Sequence, residues 1–308
     1  MQTIALSTMW GIGRFETFKE FVEAGQALGL PNVELNHQFP DKWLSEIEDL
    51  KDTGGFVISS LHDPCPLANC ADGSKPAGDL SLCCIEDDER LEAIGFAKGT
   101  IDLAHRLGAK AVVLHMGDVG NYYQHERNLR RLFAEGKTQE KEFIEGKEWL
   151  ISERKSKEAP YFEMAIKTIK ELADYAGERG IKLGMENRCY YYEIPSIDEM
   201  GILLAETDPN VVGFWHDTGH AEILHRLGFT PHSEWFARYK DRLIGSHIND
   251  VKVITDHRAP GAGELSWESI GMALPEDGFR TLEIDSSQDV QAMQDGIALL
   301  RKHNVLRA

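Results

Sequence analysis

Four residues that could bind a metal ion stand at or just after the ends of four successive strand-like runs. They are Glu186, Asp217, His247 and Glu283, separated by 31, 30 and 36 positions, each about one strand-and-helix unit. Carboxylate oxygens and imidazole nitrogens are hard ligands. The set therefore predicts one bound divalent ion, with Mn²⁺, Mg²⁺ or Co²⁺ preferred and Zn²⁺ also acceptable. Taken singly, each residue could instead be an ordinary turn residue or helix cap.

The runs that carry these residues belong to a regular alternation of eight strands with helices. The predicted strands are 3–7, 32–35, 55–61, 110–114, 182–186, 211–215, 243–247 and 281–283. A strand and its helix take roughly 30 to 40 residues, which is typical of a (β/α)8 barrel. A doubly wound open sheet is the competing architecture, but no glycine-rich phosphate loop follows the first strand. We therefore predict an α/β fold, a single TIM-barrel domain over residues 1–308, whose strand ends bring the four ligands to one face.

A long, highly charged segment, 118–158, interrupts this alternation after the fourth strand. Its composition predicts a helical insertion with a solvated face, and a lid or a dimer contact are further roles open to it. Homo-oligomerisation is left open on the same basis. A separate helix is predicted from Tyr161 to Glu178, leading into the fifth strand.

Composition narrows the class of protein. The chain has 308 residues, 42% of them hydrophobic, and a formal net charge of −18. The acidic balance argues against a nucleic-acid partner, which normally requires a basic face. The first residues show neither the basic segment nor the apolar run of a signal peptide, and no stretch approaches the roughly 20 apolar residues of a membrane helix. We expect a cytoplasmic protein with no membrane partner.

The cysteines agree with that compartment. Five cysteines, an odd number without an export signal, suit a reducing environment. Four of them, Cys65, Cys70, Cys83 and Cys84, share one loop beside His62. Their spacing matches no zinc-binding pattern, so we expect ordinary thiols there.

The motifs around the four predicted ligands resemble those of the xylose-isomerase-like TIM-barrel superfamily, and of its tagatose 3-epimerase group in particular. The motifs are Met185-Glu186-Asn187, Asp217-Thr-Gly-His220, Ser246-His247-Ile-Asn-Asp250 and Leu282-Glu283-Ile-Asp285. The resemblance implies a metal held by Glu186, Asp217, His247 and Glu283. It also implies that Glu186 and Glu283 exchange the substrate proton and that His220 orients the substrate.

The chemistry of such a site suits a small carbohydrate substrate. A metal bound to adjacent carbonyl and hydroxyl oxygens acidifies the C–H bond between them and stabilises the enediolate that follows. Two carboxylates on opposite faces of the sugar can then remove and return the proton. The expected activity is isomerisation or epimerisation of a sugar or a sugar-like hydroxy-ketone.

Four further residues are candidates for binding this substrate. His62 and His115 end the third and fourth strands, His257 lies in a glycine-containing loop after the seventh, and Trp10 follows the first. Superfamily members often place binding histidines at these strand ends, and an aromatic ring can form an apolar wall for a sugar. For each residue the competing interpretation is a hydrogen-bonded histidine or a packed aromatic ring at the barrel rim.

Three other functions fit parts of the same pattern. An inosose-type dehydratase would share the metal ligands and the first proton abstraction, and would then expel hydroxide. An endonuclease IV-like enzyme with a three-metal cluster would use residues at many of the same positions, namely His62, His115, Glu186, Asp217, His220, His247, Asp256 and Glu283. That family has Asp-Arg-His where this chain has Asp256-His257-Arg258, and the acidic charge disfavours DNA. A barrel that only binds a sugar would not need two opposed glutamates.

Overall fold

Eight parallel strands close into a barrel in the computed structural model, which describes residues 2–50 and 53–307. The eight barrel strands are β1 Gln2–Ser7, β2 Asn32–Leu35, β3 Val57–His62, β4 Ala111–Leu114, β5 Lys182–Glu186, β6 Val212–Asp217, β7 Leu243–Ile248 and β10 Gly278–Leu282. Two further strands, β8 Asp250–Lys252 and β9 Thr255–Arg258, lie outside the barrel. Strands β1 to β7 pair in chain order, and β10 closes the ring between β7 and β1. The predicted TIM barrel is confirmed.

Strands β8 and β9 form a separate antiparallel hairpin directly after β7. A loop was predicted at this place. The hairpin is short, and Val253 at its turn has a φ of 58°, a left-handed conformation that β-branched residues rarely adopt. The residue preferences of this segment therefore do not predict a turn at Val253. The hairpin carries Asp256 and His257 back over the mouth of the barrel.

Helices connect the strands on the outside of the barrel. They are α1 Phe18–Ala27, α2 Asp41–Leu50, α3 Asp87–Leu107, α4 Tyr123–Ala134, α5 Lys141–Gly177, α6 Ile197–Ala205, α7 Thr218–Arg226, α8 His232–Tyr239, α9 Trp267–Ala273 and α10 Val290–Lys302. Helices α1 and α6 begin with capping boxes, in which Thr17 pairs with Glu20 and Ser196 pairs with Glu199. Gly108 ends α3 in the left-handed conformation.

The predicted insertion after β4 is helical, but its predicted end is wrong. A new helix was expected to begin at Tyr161, whereas α5 runs without a break from Lys141 to Gly177 and contains Pro160. A proline inside a helix removes one hydrogen bond and costs about 3 kcal/mol. Contacts on both sides of the proline offset this cost, because Arg154 forms a buried ion pair with Glu199 at 2.6 Å and the following turns pack on the barrel.

The insertion packs on the barrel mouth through a second apolar cluster. Helices α4 and α5 bury Leu129, Leu132, Phe143 and Leu150 together with Tyr192 and Ile223, away from the main core. The loop after β5 stacks beneath them. The insertion is therefore more than a solvated helical face, because it covers one side of the barrel mouth.

A tryptophan fills the barrel interior beneath the strand ends. Trp215 is fully buried and packs with Ala111 and Val113. A Cβ atom on Gly245 would lie 2.1 Å from the Trp215 ring, and one on Gly184 would lie 2.7 Å from it. Only glycine fits at these two positions, and the ring forms a closed floor 5.3 Å from the His247 ring, measured between centroids.

The five cysteines are all free thiols, as expected. Cys65, Cys70 and Cys83 are buried, and Cys84 is half-buried. Within residues 2–50 and 53–307, no helix combines the length and the apolar character needed to cross a membrane.

Candidate metal centre and active site

The four predicted ligands converge at the carboxyl end of the barrel, and we call them the metal quartet: Glu186, Asp217, His247 and Glu283. Glu186 and Asp217 are the last residues of β5 and β6, His247 lies one residue before the end of β7, and Glu283 follows β10. All four are buried, and one ligand atom of each lies within 4.8 Å of a ligand atom of every other. The four residues are far apart in the chain but close in space, because the carboxyl ends of the parallel strands meet at one rim of the barrel.

His247 lies at the centre of the quartet. Its Nδ1 is 2.6 Å from Glu186 Oε1, 3.1 Å from Glu283 Oε2 and 3.9 Å from Asp217 Oδ2. These are distances at which one cation could contact all four side chains after small side-chain adjustments. The imidazole and the three carboxylates therefore share a single small volume.

A fully buried carboxylate that was not predicted from the sequence, Glu34, lies behind His247. Glu34, in β2, places Oε1 2.9 Å from His247 Nε2, and its Oε2 accepts hydrogen bonds from Ser60 at 2.7 Å and Thr281 at 3.2 Å. A carboxylate bonded to the outer nitrogen of a ligand histidine fixes its tautomer and ring orientation and raises its basicity. Glu34 therefore directs Nδ1 of His247 towards the three carboxylates of the quartet.

Backbone and amide groups orient the carboxylates of the quartet. Asn36 donates to Glu283 Oε1 and Asn249 donates to Asp217 Oδ2, both at 2.9 Å. Asp217 Oδ1 also accepts the His220 backbone N–H at 2.7 Å and caps α7. Asp217 is thus a helix cap and a member of the quartet at once, since its two oxygens serve different partners.

Burial and mutual charge shift the pKa values in the quartet. Burial alone would lower the pKa of His247, but the carboxylates of Glu283, Glu34 and Glu186 outweigh it and hold that pKa well above its ordinary value. Burial would raise the pKa of Glu186 and Glu283, yet neighbouring histidines, His247 foremost, hold both well below the ordinary value. For Asp217 burial prevails and the pKa is raised.

The donors and the charge of this cluster fit a divalent cation. Four buried carboxylates, those of the quartet and Glu34, surround one imidazole. Like charges at these separations require positive charge among them, because burial deprives them of solvation by water. Oxygen and imidazole donors are those that Mg²⁺, Mn²⁺ and Zn²⁺ accept. Glu186, Asp217, His247 and Glu283 would hold the ion.

Three histidines form the opposite side of the site, and we call them the histidine wall: His37, His62 and His115. The ring centroids of His37 and His62 are 5.1 Å apart, and those of His62 and His115 are 4.3 Å apart. His115 Nε2 lies 2.6 Å from Glu186 Oε2, and His62 Nε2 lies 3.7 Å from the same oxygen. The wall therefore contacts the quartet through Glu186.

His37 was not anticipated, although it follows β2 much as His62 ends β3. Burial and the neighbouring His62 lower the pKa of His37 to about 4, so its ring is neutral at physiological pH. Its Nδ1 is buried without a hydrogen-bond partner in the described part of the chain. Burial and the Arg188 guanidinium likewise hold the pKa of His115 well below its ordinary value. Neutral imidazoles can both donate to and accept from sugar hydroxyls.

The other two predicted histidines lie on the side of the hairpin. His220 Nδ1 is 3.0 Å from the Asn187 carbonyl oxygen, and its Nε2 is 3.9 Å from Asp256 Oδ2. His257 Nδ1 is 3.2 Å from Asp256 Oδ1, and its Nε2 is 3.6 Å from Glu283 Oε2. His257 has a φ of 53°, an uncommon conformation for a non-glycine residue and one often found at functional sites.

A pocket of about 240 Å³ joins these parts. Its lining includes His37, His62, His115, Glu186, His220, His257 and Glu283, together with Met9, Arg130, Arg188, Cys189, Tyr190 and Asp256. Trp10 is absent from the lining. It is fully buried, donates its indole N–H to the Gln288 carbonyl at 2.8 Å and packs edge-on against Phe15. This placement favours a packing role for Trp10. The neighbouring Met9 lines the pocket instead.

The chain belongs to the family described as xylose isomerase-like TIM barrel, whose sequence model matches residues 22–303. A curated relative, the uncharacterized protein y4fM of Sinorhizobium fredii, is 26% identical over 221 residues. The aligned region covers 71% of this chain and 60% of that protein, so the chain spans less than two thirds of the relative's length.

Solved structures with the same fold extend over nearly the whole chain. A D-tagatose 3-epimerase-like protein has a TM-score of 0.69 at 15% identity, covering 98% of this chain and 96% of that chain. The 3-keto-D-glucoside 4-epimerase YcjR from E. coli has a TM-score of 0.67 at 15% identity, covering 98% and 100%. IOLI protein with a bound zinc atom has a TM-score of 0.66 at 13% identity, covering 98% and 99%. At these identities the likeness shows the shared fold.

Proposed function

We propose that the protein is a divalent-metal-dependent isomerase or epimerase of a sugar or a sugar-like hydroxy-ketone. The observation that carries the proposal is the metal quartet, in which two glutamates from β5 and the end of β10 enter one small pocket beside an aspartate and a histidine. The solved structures named as sugar epimerases share the fold. We further propose that the protein acts in the cytoplasm on a small molecule and has no nucleic-acid partner.

The two glutamates are proposed to exchange the substrate proton. Glu186 enters from the side of the histidine wall, where Oε2 is contacted by His115, while Glu283 enters from the side of His257. A substrate carbon between them would face one carboxylate on each side, as proton removal from one face and return to the other requires. A bound divalent ion would supply the positive charge that stabilises an enediolate.

The remaining pocket residues are proposed to bind and orient the substrate. The histidine wall offers imidazole groups to hydroxyls on one side, and His220 and His257 offer theirs on the other. Trp215 closes the floor and excludes water from below. Epimerisation is favoured by this closure, because an enediolate exposed to water could be protonated by solvent on either face.

The proposal is tested by metal content and by exchange of the substrate proton. The purified protein should contain about one divalent ion per chain, and chelation should remove its activity until a metal is restored. The metal-loaded protein should then incorporate deuterium from D₂O next to the carbonyl of a ketose or an inosose, as followed by NMR. An absence of exchange across such a panel, with the metal site saturated, would remove the isomerase proposal.

The same experiment separates the proposed isomerase from the two alternative enzymes, a dehydratase and an endonuclease IV-like enzyme. Deuterium incorporation accompanied by loss of water from an inosose would support a dehydratase on the same site. About three zinc ions per chain, with cleavage of abasic DNA, would support the endonuclease IV-like alternative instead.

A further inference from the structure

Helix α4 of the insertion places an arginine in the wall of the pocket. Arg130 lines the pocket beside Glu186, His257 and Asp256. Its guanidinium carbon stacks 4.0 Å from the centroid of the Tyr190 ring, and only 14% of its side chain is exposed. A positive charge this well buried is held in place by specific contacts and is not a solvated surface group.

The hydrogen-bonding capacity of Arg130 is only partly used by the protein. Both of its bonds within the described ranges come from Nη2, which donates to Glu126 Oε1 at 3.2 Å and to the Cys189 carbonyl at 2.5 Å. Its Nε is buried and has no partner there. A guanidinium presents five N–H donors in a planar fork, and this geometry matches a carboxylate or a phosphate.

Arg188, the other guanidinium in the pocket, is differently engaged. Its Nε donates to Glu193 Oε1 at 3.0 Å, its Nη2 lies 3.0 Å from the same oxygen, and its Nη1 donates to Glu186 Oε2 at 3.0 Å. Arg188 therefore orients Glu186, and its donor groups are occupied. Arg130 is the guanidinium of this pocket with capacity for a ligand.

The carboxylates near Arg130 compensate its charge only in part. Glu126 is fully buried and also accepts the Tyr191 backbone N–H at 2.7 Å. Burial raises the pKa of Glu126 to about 7, so the carboxyl is partly protonated at neutral pH. Asp256, the other nearby carboxylate, directs Oδ1 towards His257 at 3.2 Å and forms no ion pair with Arg130 in the described ranges.

Arg130 also faces outward. It lines a second, open cavity of about 640 Å³, which we call the outer groove, formed by Gln124, Arg127, Asn128, Arg130, Arg131, Ala134 and Ile254. Arg131 is bonded to Glu135 at 2.7 Å and to Asn128 at 2.8 Å. Arg127 has no ion pair in the part of the chain that the structure describes. The three arginines of the outer groove therefore form a local concentration of positive charge in a chain with a net charge of −18.

We propose that the substrate carries an anionic group, a phosphate ester or a carboxylate, and that Arg130 binds this group with Arg127 behind it. The inference rests on the proposed metal-dependent function, because it names the substrate class of the same pocket. Arg130 is a specificity residue in this assignment, contributed by the insertion and not by a barrel strand.

The test uses three compounds that differ only at one terminal carbon: D-fructose, D-fructose 6-phosphate and D-fructuronate. Their binding to Mn²⁺-loaded protein is measured by calorimetry. At least one of the two anionic compounds should bind about 10- to 100-fold more tightly than fructose, the range expected for hydrogen bonds to a charged group. Comparison of the phosphate with the carboxylate identifies the source of the negative charge.

Three variants assign the preference to Arg130. Arg130→Met should remove the anionic preference, and Arg130→Lys should keep part of it because the charge remains. Arg106→Met is the control, the same change at an arginine of α3 whose side chain is 58% exposed, and it should retain the full preference. Thermal melting of each variant detects a purely structural loss, which would weaken the binding of fructose and of the anions alike.

The outcomes separate this inference from the proposed function. Equal binding of fructose and both anions by the wild type, a preference that survives Arg130→Met, or no binding of either anion would overturn the anion site. Deuterium exchange into the same compounds is measured in parallel. Exchange without an Arg130-dependent preference would retain the chemistry and remove the anion site. Arg130-dependent binding without exchange, here and across the panel of ketoses and inososes, would retain the site and remove the isomerase proposal.

Discussion

The two sides of the pocket differ in charge and in how their side chains are held. The metal quartet consists of three carboxylates and one histidine from the last four barrel strands, each fixed by further hydrogen bonds. The histidine wall comes from the ends of β2, β3 and β4, and two of its three members, His37 and His115, have lowered pKa values. His62, which faces Glu186, is the exception: burial acts to lower its pKa, but Glu186 prevails and raises it.

This difference indicates a division of labour. A group that holds a cation needs concentrated negative charge, and such charge is tolerated in a barrel interior only with a cation or protons among it. A surface that recognises hydroxyls needs neutral groups that donate and accept hydrogen bonds. We therefore expect changes in the quartet to affect metal and turnover, and changes in the wall to affect substrate binding.

The largest effect is expected for Glu283→Gln. With a metal at saturating concentration, this change leaves the shape of the pocket but removes one of the two proposed proton carriers, so turnover should fall by about 10²- to 10⁴-fold. Rates of deuterium exchange measure the loss, and circular dichroism checks the fold. Glu276→Gln, at a side chain that is 89% exposed, is the control. Rates like those of the wild type would remove Glu283 from the mechanism.

A smaller effect on metal affinity is expected for Glu34→Gln. The substitution removes the negative charge behind His247 Nε2, and loss of such a partner typically weakens metal binding about 10- to 100-fold. Competition with a chromophoric chelator measures the affinity. Ser60→Ala, which removes one hydrogen bond to Glu34 and keeps its charge, should have an intermediate effect. Unchanged affinity in Glu34→Gln would show that the quartet is ordered without Glu34.

The wall should make stability depend on pH through His37. The pKa of His37 is 6.5 in the unfolded chain and about 4 in the folded protein, so the unfolded state binds more protons between these values. Stability is therefore lost as the pH falls from 6.5 to 4. The His37→Gln variant should lose less of its free energy of unfolding across this interval than the wild type, by about 2 kcal/mol.

Chemical denaturation at pH 6.5 and pH 4 measures this difference. His105→Gln, at an exposed histidine on α3, is the matched control and should behave as the wild type. Identical losses in His37→Gln and the wild type would show that His37 is not held neutral by burial.

The smallest effect is expected for His115→Asn. Loss of one neutral hydrogen-bonding group should raise KM by about 3- to 10-fold and leave the metal content at about one ion per chain. Mass spectrometry of the metal and steady-state kinetics give the two values. Loss of bound metal would place His115 among the ligands. It would also contradict the assignment of metal binding to the quartet and substrate binding to the histidine wall.

The quartet was predictable because its signal is local. Each member stands at the end of a recognisable strand, and in a parallel barrel all strand ends share one rim, so a regular spacing is enough to imply proximity. His62, His115 and His220 could be named as candidates because they stand at strand ends, whereas His257 was named from the resemblance of its loop to the superfamily. Their distances, tautomers and charges could not, because these depend on neighbours from distant parts of the chain.

Glu34 and Arg130 show what the sequence could not supply. Glu34 lies 213 positions from His247, inside a four-residue strand whose register shifts at Val33 and Glu34. A period-two pattern cannot give the direction of a side chain at such an irregularity. Arg127 and Arg130 stand three positions apart on α4 and so share one helical face, and only the packing of the insertion on the barrel mouth turns that face towards the pocket.

Sequence alone therefore determined the barrel, the strand ends and the residues that these ends bring to one rim, because hydrophobic periodicity and spacing encode them locally. Tertiary structure decided which carboxylate stands behind His247, which histidines are neutral, where α5 continues through Pro160 and which arginine enters the pocket. Each of these depends on burial and on contacts between residues far apart in the chain, and no local pattern records them.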